Sequence, residues 1–380
     1  MNFEIGEEQG QLRDSVARLL ADSYGFEQRR RIAAGESGWS PAVWRQLGEL
    51  GVTGLRVAEQ DGGFGGSMGD LMPVLQEFGR ALLVEPFLAS AVLGATAVAL
   101  AGDAPTRQDM LPRVASGELV LAWAHDEPAA RHARLWVECA ARRDGGQWRI
   151  DGVKFNVLHA PAAQQLIVSA RVSGAPADRG GLALFRVDAK AAGLHVRAHR
   201  LIDDTPAGEL RFDGVVAEPL GDPSDARRGW AAIDGTLKAG TAAVCADAVG
   251  AMEGAYALTV GYLNTRKQFG RLLGENQALR HRVAEMMVSL ESCKSMAMLA
   301  AAAIDDPGSV EAADLLRAKL VIGRHGRSLC HSAIQLHGGI GMTEEYAVGH
   351  YLRRIMVIDQ LFGDSASQAL RLSEMELGDG

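Results

Sequence analysis

The stretch from Gly261 to Met287, GYLNTRKQFGRLLGENQALRHRVAEMM, decides the fold predicted for this chain. It closes one apolar helix, is interrupted at Phe269-Gly270, and then continues as a long amphipathic helix. Apolar residues recur in the second helix at spacings of four, three, four and three, at Leu279, Val283, Met286, Leu290 and Cys293. Such spacing places them on one helical face. The stretch therefore predicts two long helices joined by a tight turn.

Polar groups suited to a phosphorylated ligand lie in this turn and in a second, distant stretch. Arg266 and Gln268 supply a cation and an amide, and phosphates bind guanidinium groups and free N–H groups at helix starts. The second stretch, Gln335–Gly341, reads QLHGGIG. Its adjacent glycines allow a backbone to approach a flat or phosphorylated ligand closely. Each signal alone is also typical of a solvated turn, but together they favour such a ligand.

The two stretches together resemble the acyl-CoA dehydrogenase family, and the resemblance extends over nearly the whole chain. In that family these motifs hold the pyrophosphate and adenosine half of FAD, and they hold it for the neighbouring subunit across a dimer interface. The resemblance therefore implies FAD as the cofactor. It implies cofactor contacts from Arg266, Gln268, Phe269, Gly270, Gln277 (the glutamine of ENQ), Gln335, Gly338 and Gly339.

Composition limits the partners. The net charge of −8 argues against nucleic acid and anionic membranes, because neither attracts an acidic surface. The apolar runs look too short to span a bilayer, and the acidic N-terminus has no apolar core typical of a secretory signal. Four widely spaced cysteines, Cys139, Cys245, Cys293 and Cys330, predict buried, reduced thiols in a cytoplasmic protein. No ligand spacing predicts a metal site, and His125, His132 and His159 are interpreted as neutral surface residues.

Periodicity predicts an α+β chain of three domains. Residues 1–120 read as helical, with a glycine-rich loop at 62–69 leading into a helix that carries Leu71, Val74, Leu75 and Phe78. Residues 121–228 read as a small antiparallel β domain, because short runs alternate and are separated by turns such as Asp144-Gly145-Gly146. Residues 229–380 read as a helical bundle, interrupted at 305–308. The resemblance implies the same acyl-CoA dehydrogenase fold.

Within the β domain, individual strands are predicted from alternation and from short apolar runs. Leu135, Val137 and Cys139 alternate with polar residues, as do Trp148 and Ile150. Two further runs cover 166–172 and 182–187.

The reaction that the resemblance implies needs a carboxylate base. It removes the α proton of an acyl-CoA thioester while the β hydride passes to the flavin. Counted without gaps from Gln335, the family's base position falls on Phe362, and a second family position falls on Gly240, followed by Thr241. Neither is acidic. Asp364 is the nearest carboxylate and is retained as a candidate for a displaced base.

The flavin-ring wall also departs from the family. The family loop TEPGAGSD is here 126–133, where Asp126 replaces the threonine and Arg131 and His132 replace the small residues. The family stretch GxKxWITN is here 152–159, where Asn156 replaces the tryptophan and Leu158 the threonine. The sequence therefore predicts a complete cradle for the nucleotide half of FAD beside a poor pocket for its ring.

This asymmetry predicts a subunit that completes the FAD site of a larger acyl-CoA dehydrogenase subunit. It resembles the small subunits of heterotetrameric members, such as the pimeloyl-CoA dehydrogenase small subunit or the steroid side-chain type. Two alternatives stay open: an autonomous homo-oligomeric dehydrogenase that uses Asp364 or another carboxylate, and a structural partner that binds no flavin. The implied partners are acyl-CoA and an electron acceptor such as electron-transfer flavoprotein. In a further motif, Arg353 is expected to be structural and Arg354 exposed.

Overall fold

The structure is a computed structural model that describes residues 6–268, 270–308 and 312–378. Contacts divide the chain into two compact units, each described by itself. The first unit combines Met1–Arg30, Met68–Leu83 and Thr241–Gly380, and the second combines Arg31–Ser67 and Val84–Gly240. The predicted α+β class, with N-terminal helices, a middle sheet and C-terminal helices, is confirmed. The two domain boundaries, at 120/121 and 228/229, stay predictions.

Eleven α-helices lie within the described residues. They are α1 (Glu7–Ser23), α2 (Phe26–Ala34), α3 (Pro41–Glu49), α4 (Met68–Ala81), α5 (Ala95–Ala101), α6 (Ala104–Ala115), α7 (Ala226–Thr265), α8 (Gln277–Asp305), α9 (Ala312–His337), α10 (Val348–Gln360) and α11 (Ser365–Leu377). The strands are β1 (Leu121–Ala124), β2 (Ala140–Asp144), β3 (Gln147–Leu158), β4 (Gln165–Arg171), β5 (Leu182–Asp188), β6 (Leu194–Arg200), β7 (Pro206–Pro219), β8 (Lys267–Gln268) and β9 (Arg271–Leu272).

Helix α4 of the first unit follows the glycine-rich loop, as predicted, and buries the four predicted apolar residues. Its first N–H groups need acceptors from outside the helix. Asp305, the last residue of α8, supplies both, since its carboxylate oxygens accept from the N–H groups of Met68 at 2.7 Å and Gly69 at 2.8 Å. The predicted break after α8 therefore also caps another helix of the same unit.

Helices α4 and α7 approach each other so closely that glycine is required on both. A Cβ added at Gly79 would lie 1.9 Å from the carbonyl oxygen of Asp247, and one at Gly250 would lie 1.8 Å from that of Gln76. Real Cβ atoms do not approach oxygen so closely, and the obstacle is backbone, which cannot rotate away. The two helices are therefore packed backbone against backbone.

We expect Gly250→Ala to destabilise the first unit by about 1–3 kcal/mol, the usual effect of an added methyl group in a close-packed interior. Gly261→Ala is the matched control, because Gly261 lies on the same helix with nothing within 4 Å of an added Cβ. There the better helix propensity of alanine should leave stability unchanged or raised. Thermal unfolding followed by circular dichroism measures both. Equal midpoints for the two variants would contradict this packing.

The sheet lies in the second unit and closes on itself. Its strands follow the order β1-β4-β2-β3-β7-β5, β5 also pairs with β4, and β6 pairs with β7. The predicted turn at Gly145-Gly146 joins β2 to β3, and both glycines have the positive φ that this two-residue turn requires. The sheet is mainly antiparallel, as predicted, but β2 meets β4 in parallel at one residue pair, and β1 pairs with β4 in parallel. The β2–β3 hairpin lies between them in sequence, so the chain can return in the same direction.

The strand predicted at Leu135–Cys139 is absent among the described residues, and β2 begins at Ala140. The segment finds other acceptors for its backbone. Glu127 accepts the N–H groups of Glu138 and Cys139 at 2.6 and 3.0 Å. Because a side chain takes the place of a neighbouring strand, alternation alone predicted the wrong element.

All four cysteines are buried and free, as predicted. Burial raises the pKa of the Cys245, Cys293 and Cys330 thiols to about 12 and that of Cys139 to about 11.

The prediction that no apolar run is long enough to span a bilayer is wrong. Helices α7 and α8 are long and apolar enough by length and composition, although core helices of soluble proteins pass the same test.

Candidate functional site

The turn between α7 and α8 is a small hairpin of β8 and β9. Gln268 pairs with Arg271, and Gly270 has φ of 78°, which suits a tight reversal; a Cβ added there would meet no atom within 4 Å. Arg266 precedes the hairpin and is exposed. In the described ranges its guanidinium has no hydrogen-bond or ion-pair partner, so it is available to a ligand. Phe269, predicted to contact FAD, lies outside the described residues.

Helix α8 begins at Gln277 without a side-chain cap. Asn276 occupies the cap position, where an asparagine normally accepts from the N–H groups of the first turn. Here its side chain faces the hairpin instead, since its amide donates to the Leu273 carbonyl at 3.1 Å and its oxygen accepts from Arg271. Uncapped N–H groups and the helix dipole both favour an anion. Gln277 itself is exposed at this end.

The second predicted stretch lies at the end of α9. Gln335 is exposed on the last turn, and the helix passes into a 3-10 turn at Gly338–Met342. Gly338 and Gly339 are both exposed, and a Cβ added at either would meet no atom within 4 Å. Bare backbone therefore faces open space at this turn.

Three aromatic rings bring the two stretches together within the first unit. Tyr262 lies one helical turn before Arg266 and stacks on His337, with ring centroids 4.6 Å apart. His337 immediately precedes Gly338, and Tyr346 lies 5.1 Å from its ring. We refer to the hairpin, the start of α8 and the turn at Gly338–Gly339 as the nucleotide cradle. The sequence predicted its residues but did not predict the rings that join its parts.

The two predicted base positions carry no carboxylate in the structure either. Phe362 lies between α10 and α11, partly buried, in the left-handed region with φ of 61°. Gly240 is buried within α7. Asp364 caps α11, since its carboxylate accepts the N–H and hydroxyl of Ser367 at 2.8 and 2.7 Å. A capping carboxylate is held at the helix end by these bonds.

Buried polar side chains hold the segment that contains Phe362 in place. Lys319 is fully buried, and its ammonium donates to the carbonyls of Asp359 at 2.9 Å and Gly363 at 3.3 Å. Gln368 donates to the carbonyls of Phe362 and Gly363, each at 3.0 Å. These bonds give the loop a defined shape, although Phe362 occupies the position of the family's catalytic carboxylate.

In the second unit, the predicted ring wall consists of a loop and a bulged strand. Arg131 and His132 are exposed and have φ of 43° and 72°, an uncommon conformation for residues other than glycine. Asn156 lies at a bulge of β3 with φ of 50°, and its amide oxygen is 3.1 Å from Nε2 of His199. Leu158 is buried, and its hydrocarbon side chain has no hydrogen-bond donor.

A buried polar network lies beneath this loop, and no sequence pattern predicts it. The Lys154 ammonium is fully buried and donates to Glu127 at 2.8 Å and to Ser169 at 3.0 Å. Nδ1 of His125 lies 2.8 Å from the Ser169 hydroxyl. Burial, reinforced by the nearby Lys154 charge, lowers the pKa of His125 to about 3, so its imidazole is neutral at physiological pH. The network has no access to solvent and holds the loop in place.

Two predictions about single residues are wrong. His125 and His159 are buried and not surface residues. Among Arg353 and Arg354 the roles are reversed, because Arg354 forms the mostly buried pair with Asp247 at 2.5 Å, while Arg353 pairs with Glu344 nearer the surface. In the described part of the chain, no group of three or more His, Cys, Asp or Glu side chains is arranged to hold a metal ion.

Comparison with known proteins agrees with this architecture. Residues 6–118, 126–215 and 227–376 match the N-terminal, middle and C-terminal domains of acyl-CoA dehydrogenase. The acyl-CoA dehydrogenase FadE12 of Mycobacterium tuberculosis is 31% identical over 358 residues, which cover 91% of this chain and 90% of the relative.

Solved structures share the fold over nearly the full length. The steroid ACAD Tcur3481-Tcur3483 is 31% identical with a TM-score of 0.88, and the match covers 99% of each chain. The ChsE4-ChsE5 complex from Mycobacterium tuberculosis is 24% identical with a TM-score of 0.87, covering 100% of this chain and 99% of the other. Members of this family bind FAD and catalyse FAD-dependent dehydrogenation. The chain belongs to the acyl-CoA dehydrogenase family.

Proposed function

We propose that this chain is a subunit of an FAD-dependent acyl-CoA dehydrogenase that completes the flavin site of a partner subunit. The observation that carries the proposal is an asymmetry within the chain. The nucleotide cradle is present, open and joined by aromatic contacts, with Arg266 unpartnered in the described ranges. The base positions hold Phe362 and Gly240 instead of a carboxylate.

In this proposal each group of the cradle has a defined task. Arg266 and the open N–H groups of α8 bind the pyrophosphate, because fixed cationic and N–H donors match its charge and oxygens. Gln268 and Gln277 supply amide donors, and Gln335, Gly338 and Gly339 form the surface against which the adenosine half lies. FAD, when bound, supplies the hydride acceptor. This chain then binds and orients one end of the cofactor, and the partner supplies the ring pocket and the base.

A larger acyl-CoA dehydrogenase subunit is the proposed partner. The steroid ACAD is named for two components, Tcur3481 and Tcur3483, and ChsE4-ChsE5 is a complex of two named components. Both support a mixed assembly, and the former also supports a steroid-type acyl-CoA as substrate. Electron-transfer flavoprotein is the proposed electron acceptor. The four buried, unpaired thiols support a cytoplasmic location.

The two alternatives make different predictions about flavin content. An autonomous enzyme would bind one FAD per chain when purified alone. A purely structural partner would leave the flavin of the complex unchanged after Arg266 is removed. The role of Asp364 as cap of α11 weighs against the first alternative, and the open cradle weighs against the second.

We expect Arg266→Ala to lower the FAD affinity of the complex about ten- to a hundredfold, the loss of one charge-assisted contact of about 1.5–3 kcal/mol. The measurement is the ratio of flavin absorbance to protein after purification of the complex.

Two controls separate this role from a general loss of charge. Lys267→Ala removes the neighbouring exposed cation of the same hairpin and should leave most of the flavin bound. Asp126→Ala lies in this chain's own ring wall and should leave it unchanged. If Asp126→Ala strips the flavin while Arg266→Ala does not, the division of roles between the two regions is reversed.

A further inference from the structure

The three aromatic rings Tyr262, His337 and Tyr346 contact one another, and each is attached to one part of the nucleotide cradle. The carbonyl of Tyr262 accepts the N–H of Arg266 at 2.8 Å, so a displacement of this helical turn moves the arginine. His337 directly precedes Gly338 in the sequence. Tyr346 follows the 3-10 turn and lies 6.4 Å from Tyr262, edge to face. The rings therefore connect both halves of the cradle.

The hairpin has few other anchors. In the ranges that the structure describes, its hydrogen bonds run only to neighbours in sequence. Leu273 donates to the carbonyl of Arg266 at 2.9 Å, Arg271 to Asn276, and Arg280 to the carbonyl of Gly274 at 2.5 Å. None of these bonds reaches α9 or the turn that follows it. The aromatic contacts are therefore one of the links that set the distance between Arg266 and the two glycines.

His337 is the central ring and is itself held in place. It is 3% exposed, and its Nδ1 lies 2.8 Å from the carbonyl of Ala333, one turn earlier on α9. This bond fixes the ring with respect to the helix axis. Burial lowers the pKa of His337, so that the ring meets Tyr262 as a neutral aromatic surface. A fixed, uncharged ring is suited to act as a spacer.

We propose that Tyr262, His337 and Tyr346 are positioning residues that set the separation between Arg266 and the Gly338–Gly339 turn, and thereby determine how tightly the cradle holds a nucleoside diphosphate group. This inference rests on the proposed function. In this proposal the rings, which contact each other, act through the arginine and the glycines. Tight binding of a pyrophosphate requires donors held in a defined geometry, which a mobile hairpin cannot offer.

The first test needs only the isolated chain. Hydrogen exchange is followed by mass spectrometry in peptides covering 263–276, with peptides covering 286–302 of α8 as the internal reference. Tyr262→Leu and His337→Leu should accelerate exchange in the hairpin about two- to tenfold, the loss of one aromatic pair. Tyr262→Phe keeps the ring and should exchange at the wild-type rate, whereas His337→Phe keeps a ring without the bond to Ala333 and should exchange more slowly than His337→Leu. If Tyr262→Leu does not fold, Tyr346→Leu applies the same test from the opposite side.

The second test measures flavin retained by the complex. The leucine variants should lower FAD affinity about two- to tenfold, and the phenylalanine variants should restore it. Uniformly faster exchange over both peptides, or leucine variants with unchanged hairpin exchange, would overturn the proposal. If Arg266→Ala lowers flavin content and the leucine variants do not, the positioning role alone is refuted. If Arg266→Ala itself has no effect, the proposed function fails, while the exchange result still decides whether the rings hold the hairpin.

Discussion

The chain purified without a partner is expected to oxidise acyl-CoA about 10²–10⁴-fold more slowly than the complete complex, the usual effect of losing a positioned base. The α proton of a thioester is weakly acidic, so its removal requires a carboxylate beside the substrate. Neither Phe362 nor Gly240 can accept a proton. The measurement is reduction of an electron-acceptor dye by the isolated chain and by the complex, with short, long and steroid-type acyl-CoA substrates. Rapid turnover by the partner-free chain would refute this expectation.

Should the isolated chain turn over, Asp364 is the residue to test. Asparagine caps helices as well as aspartate does, so Asp364→Asn keeps the cap of α11 and removes only the charge. Activity should then collapse while the unfolding temperature stays near that of the wild type. Unchanged turnover would direct the search to other carboxylates. The same substitution thus separates the capping role seen in the structure from the catalytic role suggested by the sequence.

The sequence predicted the residues of the nucleotide cradle because their chemistry is local. A cation before a glycine turn and two adjacent glycines after a helix can be recognised without knowing what surrounds them. Tyr262 and His337 could not be assigned in this way, since an isolated aromatic residue near a helix end is ordinary. Their stacking depends on how the ends of α7 and α9 meet, and that geometry is set by packing along both helices.

The fold was predictable where one period dominates a segment. Helix α4 and the hairpin of β2 and β3 follow directly from apolar spacing and turn residues. The segment Leu135–Cys139 alternates like a strand, yet its N–H groups bond to Glu127, a residue earlier in the chain that sequence patterns do not connect to it. Arg354 was similarly misjudged, because its partner Asp247 lies on another helix. Sequence patterns therefore do not predict polar pairs between residues that lie far apart in the chain.

The most deeply buried of these long-range pairs joins Lys154 to Glu127. Lys154→Met is expected to destabilise the second unit by about 3–5 kcal/mol, because it leaves the buried Glu127 carboxylate without its counter-charge. The two side chains are 0% and 2% exposed and lie 2.8 Å apart, so solvent cannot screen the charge that remains. All six tryptophans lie within 31–67 and 84–240, so their fluorescence follows the unfolding of this unit during denaturant titration.

The double variant Lys154→Met with Glu127→Gln distinguishes an unpaired charge from lost packing. Glutamine carries no charge and keeps one oxygen, which can accept one of the two N–H groups that the Glu127 carboxylate oxygens accept, so part of the stability should return. Arg142→Met is the matched surface control on the same sheet. Its pair with Asp151 is largely exposed on the arginine side, and such exposed pairs contribute little to stability. If Lys154→Met costs no more than Arg142→Met, or if the double variant is less stable than Lys154→Met alone, burial of an unpaired charge is not what destabilises the sheet.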